Sequence, residues 1–204
     1  MKIKIPEKIR VGGIDYSVIM EETFVDDGMN HWGFHHGGDA TIRLLTIYDS
    51  EPMADCTILS GLFHELCHAI DFVYCLSDLE ESTIEKISNS VFTILSNDFF
   101  IGQKKMPESL TLKGMTFEVI NNYEFKSLMK CPTVSLRPNT LKIHCIEGGE
   151  TVKKDLLNCI IGFMLDGLFT QEEFEKFPLN SFSSGLYQVL KDTGFNKLVM
   201  RVCK

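Results

Sequence analysis

Two histidines four residues apart, with a glutamate directly after the first, stand in the stretch FHELCHAIDF at residues 63–72. On an α-helix, residues at this spacing lie one above the other, so the rings of His64 and His68 can converge on one metal ion. Glu65 is rotated by about 100 degrees from His64 and can reach a water molecule beside the metal as a general base. This H-E-x-x-H pattern is typical of zinc sites that hydrolyse peptide bonds.

A catalytic zinc ion also needs a third protein ligand, which we expect on the following helix. Glu85 is the predicted ligand because it adjoins an apolar stripe that begins at Ile84. Glu80 and Glu81 fall in the first turn, where acidic residues stabilise the helix dipole. Asn89, one turn after Glu85, is expected to hydrogen-bond that ligand. The alternative, in which Glu85 is an ordinary solvated carboxylate, stays open.

Two helices must position these residues. The first is predicted to begin near Ser50 or Asp55, both favourable N-caps, and to run through Tyr74. Apolar residues cover more than half of its circumference, so we expect it to be largely buried. The second helix is predicted to follow a cap at Ser77 or Asp78.

The two halves of the chain repeat one pattern. Residues 5–20, IPEKIRVGGIDYSVIM, align without a gap with residues 106–121, MPESLTLKGMTFEVIN, and each copy predicts a β-hairpin around a glycine turn. Residues 81–100 align with residues 176–195, with apolar positions at helical spacing. We interpret this as an internal duplication, although chance similarity between two small α+β units is an open alternative.

The second copy lacks the residues of the predicted metal site. An offset of 95 residues aligns His64, Glu65, His68 and Glu85 with Cys159, Ile160, Phe163 and Asn180. Asp71 recurs as Asp166, so we expect it to have a structural role, such as orienting the loop between the helices. These differences predict a metallopeptidase domain at residues 1–101 and a degenerate copy without a metal site at residues 102–204.

Composition narrows the possible partners. The chain has 204 residues, of which 44% are hydrophobic and 24% charged, as in ordinary globular proteins. Its net charge of -8 disfavours nucleic acid and anionic membranes as partners. The N-terminus has no signal-peptide pattern and no apolar run approaches the roughly 20 residues that span a bilayer, which predicts a cytoplasmic protein. The seven cysteines form no C-x-x-C pair and do not indicate a disulfide framework, and most are expected to be reduced core residues.

Two other segments bear on the site. The stretch HWGFHHGG places His31, His35 and His36 near the single tryptophan. We expect a surface loop here, because no helix fixes a ligand spacing, with a second metal site or an oxyanion donor as the alternative. Residues 41–48, TIRLLTIY, are the predicted edge strand along which an extended peptide would pair.

The stretch HELCHAIDFVYCLSDLEESTIEKISNSVFTIL resembles the active-site helix and the glutamate helix of small gluzincin-type metallopeptidases, including the compact minigluzincin-like forms of bacteriophages and mobile elements. The resemblance covers roughly residues 1–100. It implies an α+β, zincin-like fold, in which a small antiparallel or mixed sheet packs on the two helices. It also implies a Zn²⁺ ion held by His64, His68 and Glu85, with Glu65 as the general base.

We therefore expect a zinc-dependent endopeptidase that acts on a peptide or protein substrate, as a monomer with an internal pseudo-dimer or as a homodimer. A second interpretation is a non-catalytic protein with a structural or vestigial zinc site that sequesters a partner, because half of the chain lacks the site. A third is a metal-free helical regulator, which predicts no zinc in the purified protein.

Overall fold

The fold mixes α-helices and β-sheets, which confirms the predicted α+β class. The structure is a computed structural model that describes residues 3–23, 32–97, 107–112, 115–120, 133–136, 139–142, 150–166 and 168–203. His31 and the predicted domain boundary between residues 101 and 102 lie outside the described residues.

The first sheet has four strands: β1 (Lys8–Val11), β2 (Ile14–Glu21), β3 (Gly33–His36) and β4 (Thr41–Leu45). Their order across the sheet is β1-β2-β4-β3, with β2 and β4 parallel and the other two pairs antiparallel. Alternate residues of β1 face the core, as the two-residue period of a strand requires, and its Ile9 and Val11 are buried. A short two-stranded ribbon follows, formed by β5 (Ile47–Tyr48) and β6 (Glu51–Pro52).

The edge of this sheet is not the strand that the sequence predicted. β4 lies between β2 and β3, so the expectation of an edge strand at residues 41–48 is wrong. β3 takes the edge instead, within the segment expected to be a loop. Its residues lack the alternation of apolar and polar side chains that predicts a strand. Pairing with β4, in which His35 lies opposite Ile42, stabilises the strand conformation.

Two helical segments follow the sheet. α1 (Asp55–Ile70) continues directly into a π-helical turn, Asp71–Cys75, and α2 (Glu81–Asn97) follows after a short loop. The residue before α1 is Ala54, which has no capping side chain, so neither Ser50 nor Asp55 is its N-cap. The π-helical turn was not predicted, and such turns are frequent at functional sites.

The segment Asp55–Cys75 is also the most apolar helix of the described chain. It is 21 residues long and meets the length and composition of a membrane span, but 56% of its most apolar stretch is buried inside the fold. Leu59, Leu62, Phe63 and Leu66 are fully buried, as expected for the central helix of a core.

The second sheet repeats the topology of the first. Its strands are β7 (Ser109–Leu112), β8 (Met115–Ile120), β9 (Thr133–Leu136) and β10 (Asn139–Lys142), in the order β7-β8-β10-β9. The hairpin register is also the same, since Lys8 pairs with Ser17 in the first copy and Ser109 pairs with Glu118 in the second. Each paired residue of the first hairpin thus corresponds to the residue 101 positions later in the second hairpin.

The C-terminal helices pack on the first half of the molecule. They are α3 (Glu150–Leu165), α4 (Gln171–Lys176), α5 (Leu179–Thr193) and α6 (Phe195–Val202). Gly185 of α5 lies so close to the helix of the metal motif that a Cβ there would be 2.6 Å from Tyr74 and 2.9 Å from Ile70. The Gln188 side-chain oxygen accepts a hydrogen bond from the Gly12 N–H at 3.0 Å, and another from the Tyr74 hydroxyl. One hydrophobic core therefore extends through both halves.

A disulfide links the start of α1 to the C-terminal end of α6. Cys56 and Cys203 are 147 residues apart in sequence, and their Cα atoms are 5.3 Å apart. This pair is an exception to the expectation that most cysteines are reduced, whereas Cys67, Cys75 and Cys159 are free. No sequence spacing reveals that the fold brings Cys56 and Cys203 together.

Candidate metal centre

His64 and His68 lie on one face of α1, where the sequence predicted them. Their Nε2 atoms are 3.1 Å apart, and both side chains are about three-quarters buried, with 21% and 25% of their surfaces exposed. Glu81, the first residue of α2, points its carboxylate at both rings. Its Oε1 lies 2.9 Å from the His64 Nε2, and its Oε2 lies 3.0 Å from the His68 Nε2. Two imidazoles and one carboxylate thus converge on one point.

This donor set suits a zinc ion. Two ligand atoms at about 2.0–2.1 Å from a tetrahedral zinc lie roughly 3.3 Å apart, close to the separations found here. The lone pairs of two neutral imidazole nitrogens repel each other when no proton or cation lies between them. A cation between the two nitrogens would accept both lone pairs. Burial and the neighbouring His64 lower the pKa of His68, against the effect of Glu81, and the lowered pKa disfavours a proton as that cation.

Glu85, the predicted third ligand, is not part of the converging group. It lines the same cleft, as does Asn89, and like Glu81 it is exposed, but it lies one turn further along α2. Among the described residues, the carboxylate within hydrogen-bonding distance of both histidines is that of Glu81. The apolar stripe around Ile84 does pack in the core, but the first turn of α2, and not the second, meets the histidines.

Glu65 is buried beside the two histidines, with 6% of its surface exposed. Burial raises its pKa to about 8, the charge of Glu81 adds to this effect, and a hydrogen bond from the His35 backbone N–H opposes it. Gly33 allows this approach of strand and helix, because a Cβ there would lie 2.7 Å from the Glu65 Oε1. Sequence analysis missed Gly33, since a lone glycine does not reveal which side chain it accommodates.

His35 lies in the cleft because it belongs to β3 and not to a loop. Its ring stacks parallel to that of His68 with the centroids 6.3 Å apart, and its Nε2 is 3.3 Å from the hydroxyl of the buried Tyr16. Burial, together with the smaller effects of the neighbouring His68 and His36, lowers the pKa of His35 to about 4. The ring is therefore neutral at physiological pH.

Asp71 holds the loop that leads into α2. It is buried, and its Oδ2 accepts a hydrogen bond from the Leu79 N–H at 2.9 Å. Its Oδ1 accepts one from the Ser77 hydroxyl, so Ser77 bonds to this loop-orienting carboxylate. Leu76 and Asp78 have left-handed backbone conformations, with φ of 52° and 49°. Asp71 thereby sets where the loop ends and where Glu81 begins α2.

The converging groups open onto a cleft of about 550 Å³. This size suits a small ligand or a few residues of a peptide. The cleft lies between β3, α1 and α2, and contains no lysine or arginine among its lining residues, which are Trp32, Gly33, Phe34, His35, Ser60, Gly61, His64, Glu65, His68, Glu81, Glu85 and Asn89.

Comparison with known proteins identifies no relative: no protein-family model, curated protein or solved structure matches this chain. The chemistry of the site therefore follows from its own residues. Two imidazoles and a carboxylate are ligands that zinc prefers. A buried carboxylate in the same cleft is suited to accept and return a proton near neutral pH.

Proposed function

We propose that this protein is a zinc-dependent metallopeptidase in which His64, His68 and Glu81 hold the zinc ion and Glu65 is the general base. The observation that carries the proposal is the convergence of three ligand atoms beside a buried carboxylate in one cleft. A zincin-like arrangement is part of the proposal, because a mixed sheet packs on the helix of the two histidines and the next helix supplies the carboxylate.

Glu65 is the residue that would move protons in this mechanism. When bound, zinc would supply the Lewis acidity that polarises a peptide carbonyl and makes a water molecule more acidic. Glu65 would take a proton from the attacking water and later deliver it to the leaving amine. The His35 N–H orients the carboxylate, and burial favours proton uptake by raising its pKa.

The edge of β3 opposite to β4 is the proposed position of the peptide substrate. The Trp32 carbonyl oxygen accepts a hydrogen bond from the Leu45 N–H of β4, so the alternation of an antiparallel ladder turns the backbones of Gly33 and His35 toward this opposite edge, where the His35 N–H donates to Glu65. An extended peptide that pairs along this edge would pass beside Glu65. β3 thus takes the role predicted for residues 41–48.

The repeated topology supports the proposed internal duplication, with a second half that has lost the site. α3 and α5 pack together as α1 and α2 do, at the same offset of 95 residues. At that offset Lys176 stands in place of Glu81, and a lysine cannot serve as a carboxylate ligand. The second half then serves as packing for α1 and β1 through α5.

Zinc content tests the metal site. Purified protein should carry about one zinc ion per chain, measured by elemental mass spectrometry after removal of excess metal. His68→Ala should lose the ion because one of the imidazole ligands is gone. Glu81→Gln should also lose it, since an amide oxygen is a much weaker ligand than a carboxylate.

Glu85→Gln is the matched control, because it makes the same change in an exposed residue one turn along the same helix. It should keep its zinc. The opposite pattern, with zinc lost in Glu85→Gln and kept in Glu81→Gln, would restore Glu85 as the ligand. Wild-type protein that binds no zinc, even after reconstitution, would contradict the proposed function.

Gly33→Ala should impair hydrolysis more than zinc binding. The added methyl group would collide with the Glu65 carboxylate, whose Oε1 would lie at 2.7 Å. A displacement of about 1 Å in a reacting group can cost on the order of 10²-fold in rate. We expect kcat on a fluorogenic peptide to fall by about that factor, with the zinc content unchanged. Gly13→Ala is the control, since no atom lies within 4 Å of a Cβ at that position; an equal loss there would exclude this explanation.

A further inference from the structure

Ser88 lies behind His64, on the side away from the proposed metal. Its Oγ is 3.2 Å from the His64 Nδ1, and only 3% of the residue is exposed. Ser88 is seven residues after Glu81, so both lie on the same face of α2, two turns apart. The imidazole of His64 therefore faces one helix at both nitrogens, with the Glu81 carboxylate beside Nε2 and the Ser88 hydroxyl beside Nδ1.

The direction of this hydrogen bond follows from the other partner of Ser88. The hydroxyl has a single proton, and the Glu85 backbone carbonyl oxygen at 3.1 Å is an acceptor for it. A carbonyl oxygen can only accept, whereas the His64 Nδ1 can also donate, so the arrangement that satisfies both contacts has the proton of the second bond on the His64 Nδ1. A neutral imidazole with its proton on Nδ1 has its lone pair on Nε2, the atom that faces His68 and Glu81.

We propose that Ser88 is a positioning residue that fixes the tautomer and the orientation of His64 for metal binding. This inference rests on the proposed function, because it assigns the role of Ser88 within the same zinc site. The partner that fixes a ligand histidine contributes strongly to metal affinity, and its loss typically costs about 10- to 100-fold.

The second half of the chain provides an internal control. At the offset of 95 residues, Ser88 corresponds to Ser183 of α5, which is also buried, with 1% exposed. Ser183 donates its hydroxyl proton to the Asn158 Oδ1 at 3.0 Å, whereas the hydroxyl of Ser88 contacts a histidine. Removing the Ser183 hydroxyl deletes one hydrogen bond, and removing the Ser88 hydroxyl deletes two. Of the two hydroxyls, only that of Ser88 touches a proposed ligand.

The test is zinc affinity, measured on the full-length protein by competition with a chromophoric zinc chelator. Ser88→Ala should raise the dissociation constant about 10- to 100-fold. Ser183→Ala should leave it unchanged, although both variants should show a lower melting temperature in the metal-free form. An unchanged affinity in Ser88→Ala, or an equal loss in Ser183→Ala, would overturn the proposal.

A pair of variants of equal shape separates the hydroxyl from the packing. Ser88→Thr keeps the hydroxyl and Ser88→Val replaces it with a methyl group. Zinc should bind more tightly to the threonine variant than to the valine variant, and equal affinities would overturn the proposal even where Ser88→Ala does not fold. A wild-type protein without zinc would instead contradict the proposed function, so the two failures are distinguishable.

Discussion

Replacement of Glu65 by glutamine is expected to abolish peptide hydrolysis while zinc stays bound. Glutamine has the same size and its side-chain oxygen can still accept the His35 N–H, but it cannot take a proton from water. General-base catalysis contributes about 10²- to 10⁴-fold, so kcat should fall by at least that range. The fold should tolerate the change. With its pKa raised to about 8 by burial, Glu65 is mainly a neutral acid at pH 7 in the metal-free protein, and glutamine resembles that form.

The measurement is cleavage of a mixed peptide library by wild type and Glu65→Gln, followed by mass spectrometry, with zinc content and melting temperature determined on the same samples. Residual cleavage at the wild-type rate would exclude Glu65 as the base. If neither protein cleaves peptides while both bind zinc and the same partner, the binding-protein interpretation would replace the peptidase.

The parts of the site that sequence analysis located are those that depend on local periodicity. The spacing of His64 and His68 places them on one helix face in any α-helix, and the structure has them there with their Nε2 atoms 3.1 Å apart. The hairpin of β1 and β2 was equally accessible, because alternating residues around a glycine turn determine it. Its repetition in β7 and β8 has the same register.

The identity of the carboxylate that lies beside the two histidines depends on information that is not local. Whether Glu81 or Glu85 meets the histidines depends on how far the chain advances between α1 and α2. A π-helical turn, two left-handed residues and the hydrogen bonds of Asp71 determine that advance. None of these follows from an apolar stripe. The seven-residue spacing of Glu81 and Ser88 is the sequence signal that could have indicated which face of α2 meets the histidines.

Long-range packing explains the other differences. β3 contains glycine and histidine in place of β-branched residues, and its strand conformation comes from β4 on one side and Glu65 on the other. The disulfide between Cys56 and Cys203 likewise depends on α6 returning to the start of α1. Such contacts depend on the whole fold, whereas a sequence pattern describes only neighbouring residues.

Phe195→Ala is expected to destabilise both halves together. Phe195 of α6 has 1% of its surface exposed, and its ring stacks on that of Phe63 in α1, with the centroids 5.8 Å apart. Truncation of a buried phenylalanine costs about 3–5 kcal/mol, a large part of the roughly 5–15 kcal/mol that stabilises a typical domain. For a chain of this size we expect the melting temperature to fall by roughly 6–20 °C.

The single tryptophan distinguishes one core from two domains. Trp32 precedes β3 and contacts Tyr48, so its fluorescence reports on the first half, whereas Phe195 belongs to the second. Thermal unfolding of Phe195→Ala is followed by tryptophan fluorescence and by circular dichroism, with the disulfide intact. If both halves share one core, the midpoint temperatures from the two signals fall by the same amount. The control is Leu168→Ala, a truncation in the second half at a residue that is 43% exposed. It should change the free energy of unfolding by no more than about 0.5 kcal/mol.

A tryptophan transition that stays at its wild-type temperature in Phe195→Ala would mean that residues 1–101 fold as an independent domain. We expect the tryptophan transition to fall in temperature instead, because α5 and α6 pack against α1. The helix that carries His64, Glu65 and His68 is thus covered on its buried face by the second half of the chain, which lacks the site.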